Sequence, residues 1–323
     1  MRHEFSSIEL CAGGGGQALG LERAGFGHEA LVEVDSWSRK TLIANRPNWN
    51  VIDGPQSDLT KFDGAPYRGV DLVAGGVPCP PFSRAGKQLG ASDERDLFPE
   101  ALRVIEQVRP KAVMLENVRG FLDGVFTDYR LQLRERLNRL GYTFVDWQLL
   151  QAADYGVPQL RPRVVIVAIH SRYAGQFSWP TRHERPASSV GETLRDMMSS
   201  KGWSQVDSWI GKANSIAPTI VGGSKKHGGP DLGPTRARKA WAQLGVDGST
   251  IANEPPEKDF LGNPKLTVQM VARLQGFPDE WRFQGGKTAA YRQVGNAFPP
   301  PVAHAVAQRI VEAISTRTLY AVA

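Results

Sequence analysis

The chain has 323 residues, 41% of them hydrophobic and 22% charged, and its formal net charge of +6 is compatible with a polyanionic partner. No apolar run approaches the roughly 18 residues of a membrane span, and the first residues lack the apolar core of a signal peptide. We therefore expect a cytoplasmic protein that does not associate with membranes. The two cysteines, Cys11 and Cys79, are too few for a disulfide scaffold, and no paired Cys/His spacing indicates a metal site.

The first half of the sequence predicts alternating strands and helices. Short apolar runs that end in glycine or in a polar residue indicate buried strands, and amphipathic runs indicate helices. The predicted strands are 7–10, 30–34, 71–74, 112–115 and 164–169, and the predicted helices are 18–24, 36–45, 131–140 and 301–314. Regular patterning without an assigned type resumes at 267–274. Strand, helix and strand in repetition predict an α/β fold with a doubly wound, mostly parallel sheet.

The character of the sequence changes near residue 171. From 172 to about 264 the chain is rich in Gly, Pro, Ser and Trp and weakly periodic. We therefore expect a catalytic and cofactor-binding domain of residues 1–171 plus 288–323, and a smaller, irregular domain of residues 172–287 whose loops contact a partner. The stretch 201–245 carries seven basic residues against two acidic ones, so most of the net positive charge lies in this smaller domain.

A glycine run joins the first predicted strand to the first helix. In such a loop the backbone amides and the helix N-terminus approach a nucleotide-like ligand closely, and residues 13–18 fit the loose G-x-G-x-x-G/A pattern. Glu33 follows at the tip of the next strand, where its carboxylate is placed for ribose hydroxyls, and Asp58 is a candidate for a further contact. These features suit NAD, FAD and S-adenosylmethionine equally.

Cys79 follows the third predicted strand after two glycines, a valine and a proline. Ligands bind beyond the carboxyl ends of parallel strands, so the thiol lies where catalytic groups belong. A reactive thiol needs positive charge nearby, for which Arg161 and Arg163 are the candidates. By position alone, a nucleophile and a buried structural cysteine are equally good interpretations of Cys79. Cys11, inside the glycine loop, is interpreted as a packing or cofactor-wall residue.

Glu116 and Asn117 end the fourth predicted strand, at the sheet edge where Cys79 is expected. A thiol nucleophile and a carboxylic acid suit addition to a polarised ring, in which the thiolate adds to a ring carbon and the acid relieves charge on a ring nitrogen. A solvated glutamate on a turn is the competing interpretation of Glu116.

The motifs, taken in order, resemble those of bacterial cytosine-5 DNA methyltransferases from end to end. The matching segments are residues 9–16, 75–83, 95–98, 116–118, 159–163, 273–278 and 293–297, with Glu33 and Asp58 at the acidic positions assigned to ribose and adenine. Single matches of this kind are weak, but the ordered set is specific. The resemblance implies a Rossmann-like methyltransferase fold that uses S-adenosyl-L-methionine, with a target-recognition domain at about 172–264.

The resemblance also implies a reaction on double-stranded DNA. A cytosine is flipped out of the duplex, Cys79 adds to its C6, Glu116 holds the N3 edge and Arg163 supports the base. C5 then takes the methyl group of S-adenosylmethionine, and loss of the C5 proton expels Cys79. The segment 84–96 would close on DNA. We further expect a monomer, either paired with a restriction endonuclease encoded nearby or acting alone.

The resemblance assigns roles residue by residue. The implied catalytic residues are Cys79, Glu116, Arg161 and Arg163. The implied cofactor-binding residues are Cys11, Ala12, Gly13, Gly15, Gly16, Glu33, Val34, Asp58, Leu59, Pro78, Leu97, Asn296 and Ala297. The implied DNA-binding residues are Ser83, Arg84, Lys225, Lys226, Arg236, Arg238 and Lys239, and no metal ligand is expected.

The sequence departs from the family's usual pattern at three positions. Pro80 stands where Gln commonly follows the catalytic Cys, which removes a polar group that contacts DNA. Cys11 and Val34 stand where aromatic residues are common, so a less aromatic adenine pocket is expected. None of the three changes a residue of the covalent chemistry.

Three alternative functions remain open at this point. A dinucleotide-dependent oxidoreductase explains the glycine loop and Glu33 but not the motif around Cys79. A transfer-RNA methyltransferase of the same fold shares the Pro-Cys and Glu-Asn-Val motifs, although the long segment between Val167 and Leu266 favours a DNA-reading domain. A DNA-binding protein with decayed catalysis is disfavoured because the expected reactive side chains are present.

Overall fold

The computed structural model describes residues 4–78, 96–173, 177–223 and 229–315. Within these ranges the strands are β1 Phe5–Leu10, β2 Phe26–Val32, β3 Leu72–Gly75, β4 Ala112–Val118, β5 Tyr142–Gln151 and β6 Pro162–His170. The α-helices are α1 Gly16–Arg23, α2 Ser36–Asn45, α3 Phe98–Val108, α4 Thr127–Arg139, α5 Val190–Ser199, α6 Val206–Lys212, α7 Thr235–Gln243, α8 Val268–Leu274, α9 Lys287–Asn296 and α10 Pro300–Ser315. In these ranges, no helix is both long enough and apolar enough to cross a membrane.

The strands form one six-stranded sheet in the order β2-β1-β3-β4-β6-β5. The pairs β1–β2, β1–β3 and β3–β4 are parallel, whereas β6 runs antiparallel to both β4 and β5. The predicted α/β fold with a mostly parallel sheet is therefore confirmed, with β6 as the reversed strand. The carboxyl ends of β1, β2, β3 and β4 meet at one edge, which is where ligands bind in open α/β sheets.

Helices cover both faces of the sheet because neighbouring strand residues alternate between them. On one face Val73 and Val113 join a hydrophobic cluster with residues of α3 and α4. On the other face Leu72 and Met114 join a cluster with residues of α1 and α10. Helix α1 lies close against α10 at Gly20, where a Cβ would stand 2.6 Å from the carbonyl oxygen of Pro300.

The region 172–287 contains α5, α6, α7 and α8, with irregular segments between them. Its apolar residues, such as Leu194, Trp209 and Trp241, form one cluster that continues through Trp281 and into α9 at Val294. Tertiary burial of tryptophans and short helices therefore gives this region an ordered core that its weak periodicity did not indicate.

Each predicted strand and helix corresponds to an element of the same type in the structure, but several of their bounds differ. Helix α2 has the predicted bounds, because Asp35 caps it by accepting a hydrogen bond from the amide of Ser38 at 3.1 Å. Strand β4 was expected to end at Leu115 but continues to Val118, since β6 pairs with it through Arg163. Strand β5 and helices α3, α5, α6, α7 and α9 were not predicted.

Candidate active site

A cavity of about 350 Å³ lies at the carboxyl ends of the parallel strands. Its walls come from the β1–α1 loop, the residues after β2, the segment around Asp58, the ends of β3 and β4, and helix α9. The size falls in the range of small-molecule and cofactor sites, which is about 300–1,000 Å³. The cavity is therefore large enough for a nucleoside-containing ligand.

The glycine loop brings its backbone close to this cavity. Cys11, Gly13 and Gly15 have φ values of 55°, 54° and 87°, in the left-handed region that the tight turn requires. At Gly16, a Cβ would stand 2.2 Å from the carbonyl oxygen of Phe298, so only glycine allows α1 to begin there. Local backbone geometry and tertiary packing thus both account for the run of glycines.

Glu33 connects the glycine loop to the end of β2. Its two carboxylate oxygens accept hydrogen bonds from the amides of Gly13 and Asp35, each at 2.7 Å. Burial raises the pKa of the Glu33 carboxyl, and the two backbone hydrogen bonds act in the opposite direction. Arg39 donates to the carbonyl oxygens of Glu33 and Val34 at 3.0 and 2.9 Å, which holds this wall in place.

Asp58, Leu59 and Val34 line the same part of the cavity. Asp58 Oδ1 accepts hydrogen bonds from the amide and hydroxyl of Thr60 at 3.0 and 2.8 Å, so the carboxylate is fixed by its own turn. Leu59 is buried, whereas Val34 is 66% exposed. An apolar side chain with that exposure at a cavity rim is available to pack against a flat ligand.

Glu116 lines the cavity and forms an ion pair with Arg163. Arg163 Nε lies 2.7 Å from Glu116 Oε1, and the two side chains are only 13% and 12% exposed. Burial raises the pKa of the Glu116 carboxyl, while the guanidinium groups of Arg163 and Arg161 oppose that rise. A carboxyl held in this balance is suited to donate a proton or a hydrogen bond to a ligand.

Arg161 is fully buried and is not among the residues that line the cavity. Its guanidinium donates to the carbonyl oxygens of Ile220, Gly295 and Ala297 at 2.6, 2.7 and 3.0 Å. These contacts connect the start of β6 to Ile220 of the smaller region and to the end of α9. Although the sequence placed Arg161 with the catalytic residues, its contacts are those of a positioning residue.

Cys79 lies outside the described residues, but both ends of its segment are described. Pro78, the residue before it, lines the cavity, and the amide of Leu97 donates to the Pro78 carbonyl at 3.1 Å. Asn117 Nδ2 donates to the carbonyl of Val77 at 3.1 Å. The chain therefore enters and leaves the 79–95 segment at the cavity wall.

The Cys11 thiol is a poor nucleophile in this structure. Burial raises its pKa well above the ordinary range, and the nearby carboxyls of Glu33, Glu9 and Asp58 act in the same direction. Because the thiolate is the reactive form, a thiol in this environment is inert. This agrees with the interpretation of Cys11 as a wall residue.

The structure brings together nearly all of the predicted cofactor-binding residues. The residues that line the cavity are Cys11, Ala12, Gly13, Gly16, Glu33, Val34, Asp58, Leu59, Pro78, Leu97, Asn296 and Ala297. Gly15 does not line it, because the position of its missing Cβ faces Leu42 and Trp281, each 2.8 Å away. Gly15 contributes the shape of the turn instead.

The predicted DNA-binding residues are placed only in part. Arg236, Arg238 and Lys239 are exposed on α7, where Arg238 and Lys239 border an open depression next to residues 246–249. Ser83, Arg84, Lys225 and Lys226 lie outside the described residues. The described basic residues thus present a positive surface on the smaller region of the molecule.

Sequence reasoning missed one face of α9. Ala289, Arg292, Gln293 and Asn296 are spaced three or four residues apart, and all four line the cavity. Such spacing places residues on one side of a helix. A helix that ends at the predicted Asn296 would therefore have indicated the other three residues from the sequence. Other lining residues that were missed are Glu9, Gly14, Gln17, Val32, Asp35, Ser38, Ser57, Gly76 and Phe298.

The described part of the chain contains no cluster of three or more His, Cys, Asp or Glu side chains that is able to hold a metal ion.

Comparison with protein families gives a match across almost the whole chain. Residues 5–312 match the sequence model of the C-5 cytosine-specific DNA methylases. The chain is 54% identical to the Type II methyltransferase M.NaeI of Lentzea aerocolonigenes, over 95% of this chain and 75% of that protein. It is 52% identical to the Type II methyltransferase M.NgoMIV of Neisseria gonorrhoeae, over 96% of this chain and 98% of that protein.

Solved structures share the fold at much lower identity. The S. pombe Dnmt2 methyltransferase has a TM-score of 0.65 at 18% identity, covering 97% of this chain and all of that one. The Entamoeba histolytica methyltransferase EhMeth has a TM-score of 0.65 at 14% identity, covering 97% of this chain and 99% of that one. At these identities the likeness concerns the fold alone.

Proposed function

The chain belongs to the C-5 cytosine-specific DNA methylase family, and from that premise we propose that it transfers a methyl group from S-adenosyl-L-methionine to C5 of a cytosine in a specific double-stranded DNA sequence, with Cys79 as the nucleophile. It is accordingly a DNA (cytosine-5-)-methyltransferase. The observation that supports the catalytic details is that Glu116, held by its ion pair with Arg163, and Pro78, the residue before Cys79, line one nucleoside-sized cavity.

The residues of the cavity fit the proposed cofactor. Members of the family are S-adenosyl-L-methionine-dependent methyltransferases. Glu33, fixed by two backbone amides, is placed to accept hydrogen bonds from ribose hydroxyls, and Asp58 to contact the adenine. Val34 and Leu59 supply apolar contacts to the ring. When bound, S-adenosyl-L-methionine supplies the methyl group that the base receives.

The proposed catalytic roles are those that the family resemblance implies, and the ion pair of Glu116 with Arg163 at the cavity supports them. The Cys79 thiolate adds to C6 of the flipped cytosine, and Glu116 shares its proton with N3, which relieves the negative charge that develops in the ring. Arg163 holds the Glu116 carboxyl through their ion pair and, in this proposal, supports the base. After C5 is methylated, loss of the C5 proton restores the double bond and expels the Cys79 thiolate.

The DNA partner is assigned to the basic region between residues 172 and 287. The exposed side chains of Arg236, Arg238 and Lys239 would contact phosphates and bases, together with Ser83, Arg84, Lys225 and Lys226. Relatives above 50% identity carry the name Type II methyltransferase, which supports a modification enzyme paired with a cognate restriction endonuclease. We assign it to the cytoplasm, acting as a monomer.

The alternative functions are less well supported. A dinucleotide-dependent oxidoreductase is incompatible with family membership. A transfer-RNA methyltransferase of the same fold would share the Pro-Cys and Glu-Asn-Val motifs, but the relatives above 50% identity are Type II methyltransferases. Methyl transfer from labelled S-adenosyl-L-methionine to duplex DNA, and none to transfer RNA, is the expected result.

The nucleophile is tested by trapping the covalent complex. Bisulfite sequencing of host DNA that expresses the chain identifies the target cytosine, and a duplex with 5-fluorocytosine at that position is then incubated with enzyme and cofactor. Fluorine at C5 blocks the final proton loss, so wild type and Cys11→Ala should form a complex that survives denaturing electrophoresis. Cys79→Ala should form none, and a complex that persists in Cys79→Ala but not in Cys11→Ala would refute the assignment.

A further inference from the structure

Helix α9 places a single positive charge in a cavity wall that is otherwise acidic. Arg292 is the one cationic side chain among the described residues that line the cavity. The other charged side chains of this lining are Glu9, Glu33, Asp35, Asp58 and Glu116. The face of α9 that carries Arg292 also presents Gln293 and Asn296 to the cavity.

Arg292 differs from its neighbours on α9 in having no polar partner among the described residues. Within the described ranges its side chain makes no hydrogen bond or ion pair, and its Nε is enclosed without an acceptor. In contrast, the adjacent Gln293 accepts a hydrogen bond from the Thr41 hydroxyl at 2.6 Å and donates to the Gln284 carbonyl at 2.8 Å. Because an enclosed donor without a partner is costly, the structure leaves Arg292 ready for an anionic ligand.

Four of the five acidic lining residues are already engaged by the protein. Glu33 accepts two backbone hydrogen bonds, Asp58 is held by Thr60, Glu116 is paired with Arg163, and Asp35 caps α2. The fifth, Glu9, is buried and forms no ion pair with Arg292. Since no carboxylate among the described residues pairs with Arg292, we expect its anionic partner in the molecule that fills the cavity.

From this arrangement we infer that Arg292 binds the α-carboxylate of S-adenosyl-L-methionine. The carboxylate is the only anionic group of that molecule, and a guanidinium binds it through two parallel hydrogen bonds. The inference rests on the proposed cofactor, whose nucleoside end is assigned to Glu33 and Asp58. A DNA phosphate has similar chemistry, but Arg292 lines the same cavity as Glu33, and this favours the cofactor.

The test compares two ligands that differ by the carboxylate alone. One is S-adenosyl-L-homocysteine and the other is its decarboxylated form, 5′-(3-aminopropylthio)-5′-deoxyadenosine. Calorimetry measures their dissociation constants for wild type, Arg292→Met, Arg292→Lys and the control Lys287→Met, which removes an exposed charge from the same helix. Arg292→Met should weaken S-adenosyl-L-homocysteine about 10- to 100-fold, as expected for a charge-assisted pair, and the decarboxylated ligand less than about threefold.

Arg292→Lys, which keeps the charge but not the planar pair of donors, should lie between wild type and Arg292→Met, and Lys287→Met should match wild type. Equal weakening of both ligands in Arg292→Met would overturn the inference, since it indicates a structural effect. So would equal affinity of wild type for the two ligands, a comparison that needs no variant. If Arg292→Met leaves the ratio of the two dissociation constants unchanged but weakens DNA binding, Arg292 binds a DNA phosphate instead. If wild type binds neither ligand nor S-adenosyl-L-methionine, the proposed cofactor itself is wrong.

Discussion

At the scale of single residues, Glu116 shows two opposing effects on one proton. Burial raises its pKa, and the cation of Arg163, 2.7 Å away, lowers it. Burial thus favours the protonated carboxyl, which is able to donate to the ring nitrogen of a base, and the ion pair with Arg163 holds the side chain in position. The same pair ties the acid to β6, the strand that carries Arg163.

Replacing Glu116 with glutamine should remove the acid and keep the shape of the side chain. We expect kcat to fall by about 10²- to 10⁴-fold, the usual contribution of a general acid, with S-adenosyl-L-homocysteine binding unchanged. Single-turnover methylation measures the first quantity and calorimetry the second. Glu100→Gln, on α3, is the control for removal of a carboxylate. A decrease in cofactor affinity equal to the decrease in rate would contradict the assigned role.

The ion pair also predicts a pH dependence. If protonated Glu116 is required, the rate of methylation falls as pH rises through its raised pKa. Since Arg163 lowers that pKa, Arg163→Met should move the fall to higher pH, as measured by single-turnover rates across a pH series. A shift to lower pH would show that Arg163 does not act on Glu116 in this way.

Glu9 is a further buried carboxyl beside the cavity. It is 1% exposed, and its Oε2 has no hydrogen-bond partner among the described residues. Burial raises its pKa well above the ordinary value, and the nearby Glu33 adds to the rise. The folded protein therefore holds this proton more tightly than the unfolded chain does.

Glu9→Gln should consequently stabilise the protein as pH rises. Below about pH 4 the Glu9 carboxyl is protonated in both the folded and the unfolded protein, and ionisation costs no stability. As pH rises, the unfolded chain releases this proton first, so the free energy of unfolding of the wild type falls by up to about 1.4 kcal/mol per pH unit. Urea unfolding at several pH values should show a variant that matches wild type near pH 4 and exceeds it at pH 7. Glu29→Gln changes an exposed carboxyl and should show no such difference. The opposite trend would mean that Glu9 is ionised in the folded protein.

At the scale of elements, two backbones cross where α9 ends. A Cβ on Gly295 would stand 2.4 Å from the Cα of Gly222, so both positions require glycine for this contact. Arg161 locks the crossing by donating to the carbonyl oxygens of Gly295 and Ile220. Asn296 Nδ2 adds a hydrogen bond to the Gly223 carbonyl at 3.2 Å. The basic region is thereby fixed to the wall of the cofactor cavity.

Gly295→Ala should force this crossing apart. We expect a decrease of about 1–3 kcal/mol in the free energy of unfolding, as for other overpacked positions, and weaker binding of S-adenosyl-L-homocysteine because Asn296 and Ala297 follow directly. Urea unfolding and calorimetry measure the two effects. Gly211→Ala, on α6 with open space around the added methyl group, should be neutral or stabilise by up to about 1 kcal/mol. Equal behaviour of the two variants would argue against the crossing as a constraint.

At the scale of the whole molecule, charge is divided between two regions. Among the described residues, the charged side chains of the cavity wall are acidic apart from Arg292, whereas the exposed face of α7 carries Arg236, Arg238 and Lys239. This separation suits a protein that holds a small cofactor in the sheet domain and a polyanion on the smaller region.

Neutralising α7 should change the salt dependence of DNA binding. For the triple variant Arg236→Gln, Arg238→Gln, Lys239→Gln, the slope of log K against log salt should become shallower by about 0.9 for each DNA phosphate that these side chains neutralise in wild type. Binding of S-adenosyl-L-homocysteine should be unchanged. Fluorescence anisotropy with a labelled duplex gives the slope, and the double variant Arg136→Gln, Arg139→Gln on α4 serves as the control. An unaltered slope in the triple variant would remove α7 from the DNA interface.

The sequence by itself determined the family, the parallel strands and most of the cavity wall. It did so because the residues concerned lie in short local motifs at strand ends, where spacing along the chain fixes spacing in the fold. Thus Glu33, Asp58, Pro78 and Glu116 were assigned to one edge of the sheet before any contact between them was known, and all four line the cavity.

Only the tertiary structure decided which side chains meet across long separations. In the structure β6 is antiparallel to β4, β4 continues past Glu116, and the position of the missing Cβ of Gly15 faces away from the cavity. The structure also gave Arg161 three backbone partners, up to 136 residues away, and placed Arg292 without a protein partner among the described residues beside the cofactor site. These outcomes depend on how separate segments pack against each other, and local propensity and periodicity carry no information about that packing.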